Sequence, residues 1–96
     1  MLADCMVSNL LYNAIRYTPE KGKIRVETGV NFFKIMNDGE EFRSSGEELF
    51  IRFYKENSDS SSLGLGLAIV KQIAQSNRNH INYKFENKYH IFEYLF

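Results

Sequence analysis

The sequence predicts an α+β fold, a two-layer sandwich with helices on one face of a sheet that pairs mostly through hairpins. Three patterns predict it. The chain opens on a helical apolar face, it carries two pairs of segments with alternating apolar residues, and a second helical stripe lies between those pairs.

The first helix is expected from Met1 to Tyr17. Ala3, Met6, Val7, Leu10, Ala14 and Tyr17 share one broad face at helical spacing. Thr18-Pro19 ends it, because a residue before proline avoids the helical region, and Gly22 supplies a turn. Ile24, Val26 and Thr28 alternate with Lys23, Arg25 and Glu27, the pattern of a half-buried strand. After a turn at Gly29–Asn31, the side chains of Phe33, Ile35 and Asn37 point one way at strand spacing. NDGEEFRSSG follows as a loop and EELFIRFYK as a short apolar helical piece. Ser58 to Ser62 is serine-rich, without periodicity, and reads as a mobile loop. Leu67 to Ser76 is helical, with Leu67, Val70, Ile73 and Ala74 as its stripe. Ile81, Tyr83 and Phe85 form a strand, Asn87-Lys88 turns the chain, and Phe92, Tyr94 and Phe96 line a last strand.

With 96 residues the chain has room for one domain, covering 1–96, with one core of marginal size. Eight Phe, six Tyr and a hydrophobic content of 44% belong to a folded chain. The net charge is zero and no basic block stands out, which argues against nucleic acid as a partner. The lone Cys5 excludes an internal disulfide and fits a reducing, cytoplasmic setting. No apolar run approaches the ~18 residues of a membrane span. The helical pattern is already running by Leu2 with no capping residue ahead of it, so the chain reads as a piece of a longer protein.

Three polar features exceed what local structure requires. Asn9 and Asn13 lie one turn apart inside the first helix, where Asn is a poor helix former, and Arg16 continues their sector along the rim of the apolar face. Amide oxygens suit a hard cation and a guanidinium suits phosphate; a solvated helix edge is the alternative. Asn37 ends an apolar strand on its core-facing side, where an amide needs partners, either a heteroaromatic base or the turn chemistry of NDG. Gly64 and Gly66 flank Leu65 just before a helix. Such glycines allow close backbone approach to an anion at the helix start, or a simple turn.

Together these segments resemble a known family. NLLYNAIRYTP is similar to the N box of sensor histidine kinases, MNDGEEF to their first glycine box, LFIRFYK to their F box and SLGLGLAIVKQIA to their second glycine box. The four stand in the family's order and cover essentially the whole chain. The resemblance implies the ATP-binding catalytic domain of the Bergerat (GHKL) fold, with a mostly antiparallel mixed sheet, shared with gyrase, Hsp90 and MutL. It implies ATP and Mg²⁺ as cofactors, with Asn13 holding the metal and Asn9 matching the first N-box asparagine. Arg16 matches a phosphate-reaching basic residue, Tyr17 the aromatic beside the nucleotide, and Lys55 a basic residue near the γ-phosphate. Gly39 is the glycine kept from the first glycine box. Gly64, Leu65, Gly66 and Leu67 match the segment that closes over the phosphates, with Ser58 to Ser62 as the lid.

The implied reaction is transfer of the γ-phosphoryl group to a histidine upstream, on a helical dimerisation domain outside this chain. A response-regulator receiver domain is then a further partner, and the whole protein a homodimer with a possible membrane anchor. His80 and His90, in or beside strands, are read as structural. Two alternatives share the fold: a degenerate module that docks or regulates without nucleotide, and a serine kinase of the anti-sigma-factor type.

The chain departs from the family pattern at three positions. Asn37 replaces the aspartate that accepts from the adenine amino group; strand alternation turns Asp38 the other way. Glu41 replaces the second glycine of the first box, at a cost of about 1–2 kcal/mol if that position needs a left-handed backbone. Ser62 replaces the first glycine of the second box.

Overall fold

The computed structural model describes residues 2–43, 46–51 and 66–96. Helix α1 (Leu2–Tyr17) leads into strands β1 (Ile24–Thr28) and β2 (Phe32–Asp38). A single 3₁₀ turn at Glu48–Phe50 follows, then helix α2 (Gly66–Ser76) and the hairpin β3 (His80–Glu86) and β4 (Tyr89–Leu95). The four strands form one sheet in the order β1-β2-β4-β3, antiparallel at every junction. This is the expected two-layer architecture: α1 packs on β2, α2 packs on β3, and the two helices pack on each other.

The core follows from the two periodicities. On α1 the buried residues are Met6, Leu10 and Ala14, each one turn from the last, and on α2 they are Val70, Ile73 and Ala74. β2 buries Phe33, Ile35 and Asn37, and β4 buries His90, Phe92 and Tyr94. The β2–β4 register sets Phe33 opposite Tyr94, Ile35 opposite Phe92, and Asn37 opposite His90. The central strand pair therefore presents an aromatic–aromatic layer, an aliphatic–aromatic layer and, at one end, a polar layer on the same face.

Local chemistry explains how the elements stop. The Thr18 hydroxyl donates to the Ala14 carbonyl at the end of α1, and the turn closes through Gly22 N–H to Pro19 C=O at 2.8 Å. α2 ends with Arg78 at φ 57° and Asn79 N–H donating to Ala74 C=O at 2.8 Å, the six-to-one bond of a Schellman cap. Asn87 and Lys88 have φ of 54° and 67°, a two-residue turn with both residues left-handed, as the twist of a tight hairpin demands. Lysine is an uncommon occupant of such a site. Lys88→Gly is expected to stabilise the fold by about 1 kcal/mol, which thermal unfolding would register as a rise of several degrees.

Three expectations are corrected. β1 is not half-buried: Ile24 is 39% and Val26 45% exposed. They lie on the core side, opposite Asn37 and Ile35, but β1 is an edge strand, and the main helix–sheet packing is of α1 on β2 and of α2 on β3. Phe96 does not line the last strand. It follows the end of β4 and is 58% exposed, although its N–H donates to Asn31 C=O at 3.0 Å. Of the apolar piece expected from EELFIRFYK, the described residues are helical at Glu48–Phe50, where Leu49 enters the core, and extended at Ile51; positions 52–55 lie outside the described residues. Among the described residues no helix is long and apolar enough to cross a membrane.

Candidate functional site

The amide-rich edge of α1 forms as its spacing requires. Asn9, Asn13, Arg16 and Tyr17 are all partly buried, on the rim between the apolar face and solvent. The Asn9 amide nitrogen donates to the Cys5 carbonyl at 2.9 Å, leaving Oδ1 directed at the start of α2. A Cβ on Gly66 would stand 3.0 Å from that oxygen, so glycine here lets the helix start close on Asn9. Two segments 57 positions apart are thus brought together, the N-box amides and the first residues of α2, whose N–H groups have no partners within the helix. Leu67, one residue on, packs against the hydrophobic core.

A second group lies around the C-terminal end of α1. Arg16 and Tyr17 face the loop after β2 and the β3–β4 turn across an open cleft of about 1030 Å³. Gly39 is in its wall, where an added Cβ would meet the His90 ring at 3.0 Å and the Tyr17 carbonyl at 3.4 Å. Gly39→Ala is therefore expected to displace His90 and lower stability by about 1–3 kcal/mol, the usual cost of overpacking, as denaturant unfolding would show. The Arg16 guanidinium reaches the Tyr12 hydroxyl only at 3.5 Å, a weak tether that leaves it available to an anion in the cleft.

Asn37 sits beneath this region, at the end of β2 and 1% exposed. Its Nδ2 donates to the Asp38 carbonyl at 3.1 Å, and its Oδ1 is buried with no hydrogen-bond partner among the described residues. The Asp38 carbonyl fixes the orientation of the amide, since a flipped amide would set two acceptors against each other. What remains is a buried, unmet acceptor, which costs roughly 1–3 kcal/mol and calls for a donor. Asp38 does not supply an alternative: its carboxylate accepts from the Lys23 backbone N–H at 2.9 Å, on the other side of the strand. Glu41 carries no left-handed strain, because Lys21, Arg78, Asn87 and Lys88 are the non-glycine residues with positive φ among those described.

Two residues that sequence reasoning did not select complete the cleft. His90 is 1% exposed, with Nε2 2.8 Å from the Glu40 carbonyl and Nδ1 2.7 Å from the Tyr83 hydroxyl. A carbonyl can only accept, so Nε2 carries the proton. Phe42 stacks on the His90 ring with centroids 3.9 Å apart and meets Tyr17 edge-on at 5.3 Å. The available signal was strand alternation, which puts His90 on the face of Phe92 and Tyr94. It was read as structural, and it is buried at the end of that face. Of the other expected site residues, Lys55, Gly64 and Leu65 lie outside the described residues, as do Ser62 and the Ser58 to Ser62 stretch.

An α/β sandwich with an amide-lined helix edge, a glycine-mediated approach of a second helix and an unmet acceptor at a strand end is the arrangement expected of a nucleotide-binding ATPase domain. Residues 3–91 match the family of histidine kinase-, DNA gyrase B- and HSP90-like ATPases, and the chain belongs to that family. Among curated relatives, the sensor histidine kinase HprS of Escherichia coli is 35% identical over 100 residues, covering 96% of this chain and 22% of HprS. The heme sensor protein HssS of Staphylococcus aureus is 40% identical over 88 residues, covering 86% of this chain and 19% of HssS. The chain spans about a fifth of the length of these relatives. Among solved structures, the catalytic domain of the histidine kinase ThkA has a TM-score of 0.76 at 24% identity, covering 93% of this chain and 61% of that one, a shared fold.

Proposed function

We propose that this chain is the ATP-binding catalytic part of a two-component sensor kinase, which presents Mg·ATP to a histidine on a separate dimerisation domain. The observation that carries the reading is Asn37 Oδ1, a buried acceptor whose orientation is locked and which has no partner among the described residues. The exocyclic amino group of adenine is a donor of the required kind.

The donor set fits magnesium as well. No group of three or more His, Cys, Asp or Glu side chains able to hold a metal is present among the described residues. Magnesium needs no such cage, since it keeps waters and takes one or two protein oxygens plus phosphates. Asn13 would supply one carbonyl oxygen, and the ion would neutralise charge on the phosphates. Arg16 would pair with phosphate, Tyr17 would flank the nucleotide, and the open N–H groups at Gly66 and Leu67 would face the phosphates from α2. Lys55, Gly64 and Leu65 belong to the same reading by their motif positions, and Gly39 by its place in the cleft wall. These residues bind and orient; the nucleophile is the acceptor histidine, which attacks the γ-phosphorus as the bond to ADP breaks. A response-regulator receiver domain would take the phosphoryl group next, in the cytoplasm. The similarity to HprS and HssS favours this over the docking-module and anti-sigma-factor alternatives.

The test is phosphoryl transfer. With ATP labelled at the γ-phosphate and the histidine-bearing domain of the parent protein added in trans, label is expected on that domain. Label absent there, with ATP bound, would reject the kinase reading.

A further inference from the structure

The buried histidine on β4 has no part in the scheme above, yet it lies between the core and the cleft. We propose that His90 is a positioning residue for the nucleotide base: it fixes the 39–42 segment as one wall of the base site. This rests on the Mg·ATP reading given above.

The segment after β2 is held to the β3–β4 hairpin by four described ties, two of them to His90 and one the stacking of Phe42 on Tyr83 with centroids 5.7 Å apart. Gly39 N–H donates to the Lys88 carbonyl at 3.3 Å. His90 Nε2–H donates to the Glu40 carbonyl at 2.8 Å. The Phe42 ring lies on the imidazole at 3.9 Å, inclined by 22°. The imidazole is in turn set by the Tyr83 hydroxyl at Nδ1, 2.7 Å away. Gly39 permits the close approach, since any Cβ there would press on the ring.

Packing alone does not explain a histidine here. An apolar side chain would fill the layer above Phe92 without the cost of desolvating two ring nitrogens. What the imidazole adds is a donor aimed at a loop carbonyl, and that loop lines the cleft, with Phe42 reaching back against the core. Glu40 and Glu41 are exposed and anchor nothing by burial, so beyond the Gly39 bond to Lys88 it is the backbone bond at Glu40 and the ring of Phe42 that carry the loop's position. In the strand register His90 also stands opposite Asn37, the residue that presents the unmet acceptor. One side chain therefore ties the wall that carries Phe42 to the strand pair that carries Asn37. Phe42 faces Tyr17 edge-on at 72°, so the wall and the end of α1 offer aromatic surfaces to a flat heterocycle.

The experiment compares Mg·ADP with magnesium tripolyphosphate, which has the phosphates but no base. Both are titrated calorimetrically into the whole chain and into His90→Phe and His90→Gln, with thermal melts for each. His90→Phe keeps the stacking surface and loses the donor; His90→Gln restores a donor at the place of Nε2. Mg·ADP affinity is expected to fall about tenfold in His90→Phe, the equivalent of one buried hydrogen bond, and to recover most of that in His90→Gln. Tripolyphosphate affinity should stay within about twofold throughout, a split that a general loss of stability would not produce. Should His90→Phe fail to melt cooperatively, Tyr83→Phe, which frees the imidazole without removing it, is expected to show the same split at smaller size. Unchanged Mg·ADP affinity in a folded His90→Phe, or equal weakening of both ligands, overturns the proposal. An unaltered chain that binds neither ligand would instead overturn the Mg·ATP reading beneath it.

Discussion

Asn13→Ala is expected to weaken Mg·ATP binding about a hundredfold while making the fold slightly more stable. The first effect follows from the role proposed for the amide oxygen. A contact to a charged group is worth roughly 1.5–3 kcal/mol, and losing a ligand to the ion would also weaken the charge neutralisation it would supply to the phosphates. The second follows from its position. Asn13 lies inside α1, where alanine is the better helix former by roughly half a kcal/mol. Its side chain is partly buried on the helix rim and has no hydrogen bond to lose among the described residues. Calorimetric titration and a thermal melt on the same sample give both signs. Reduced stability together with lost binding would mean that Asn13 is structural, and the assigned role would be wrong.

Asn37→Leu makes an equally sharp case. Leucine has a similar volume and lies well in a layer beside Ile35. It removes a buried acceptor that has no partner, a relief of about 1–3 kcal/mol, and forfeits the bond to the Asp38 carbonyl, worth about 0.5–1.5 kcal/mol. The net expectation is a fold more stable by about 1 kcal/mol that binds ATP roughly tenfold more weakly, because the base has lost its acceptor. A strand end kept polar against the interest of stability is what a ligand site looks like. A neutral or tighter ATP affinity in Asn37→Leu would remove Asn37 from the site.

The parts of this molecule that periodicity governs were legible in its sequence. The stripe Met6, Leu10, Ala14 and the alternation Phe33, Ile35, Asn37 set the buried faces directly. Alternation also put Asp38 on the far side of β2, where its carboxylate meets Lys23. The exposure of Ile24 and Val26 was not legible, because whether a strand lies at a sheet edge depends on strand order. His90 and Phe42 were missed for a related reason. The bond from His90 to Glu40 joins residues 50 apart, and no local pattern announces a histidine whose partner is a distant backbone carbonyl. The cost feared at Glu41 did not arise, since the loop there keeps an ordinary backbone. The N-box amides were legible as a cluster, and the approach of Asn9 to Gly66 became visible when α1 and α2 packed together.

Titration of ATP into this chain, with and without magnesium, tests the central claim most directly. The expected result is saturable one-to-one binding that requires magnesium, is displaced by ADP and raises the melting temperature in step with ligand concentration. A chain that melts cooperatively yet shows no saturable binding and no thermal shift at millimolar Mg·ATP would contradict it.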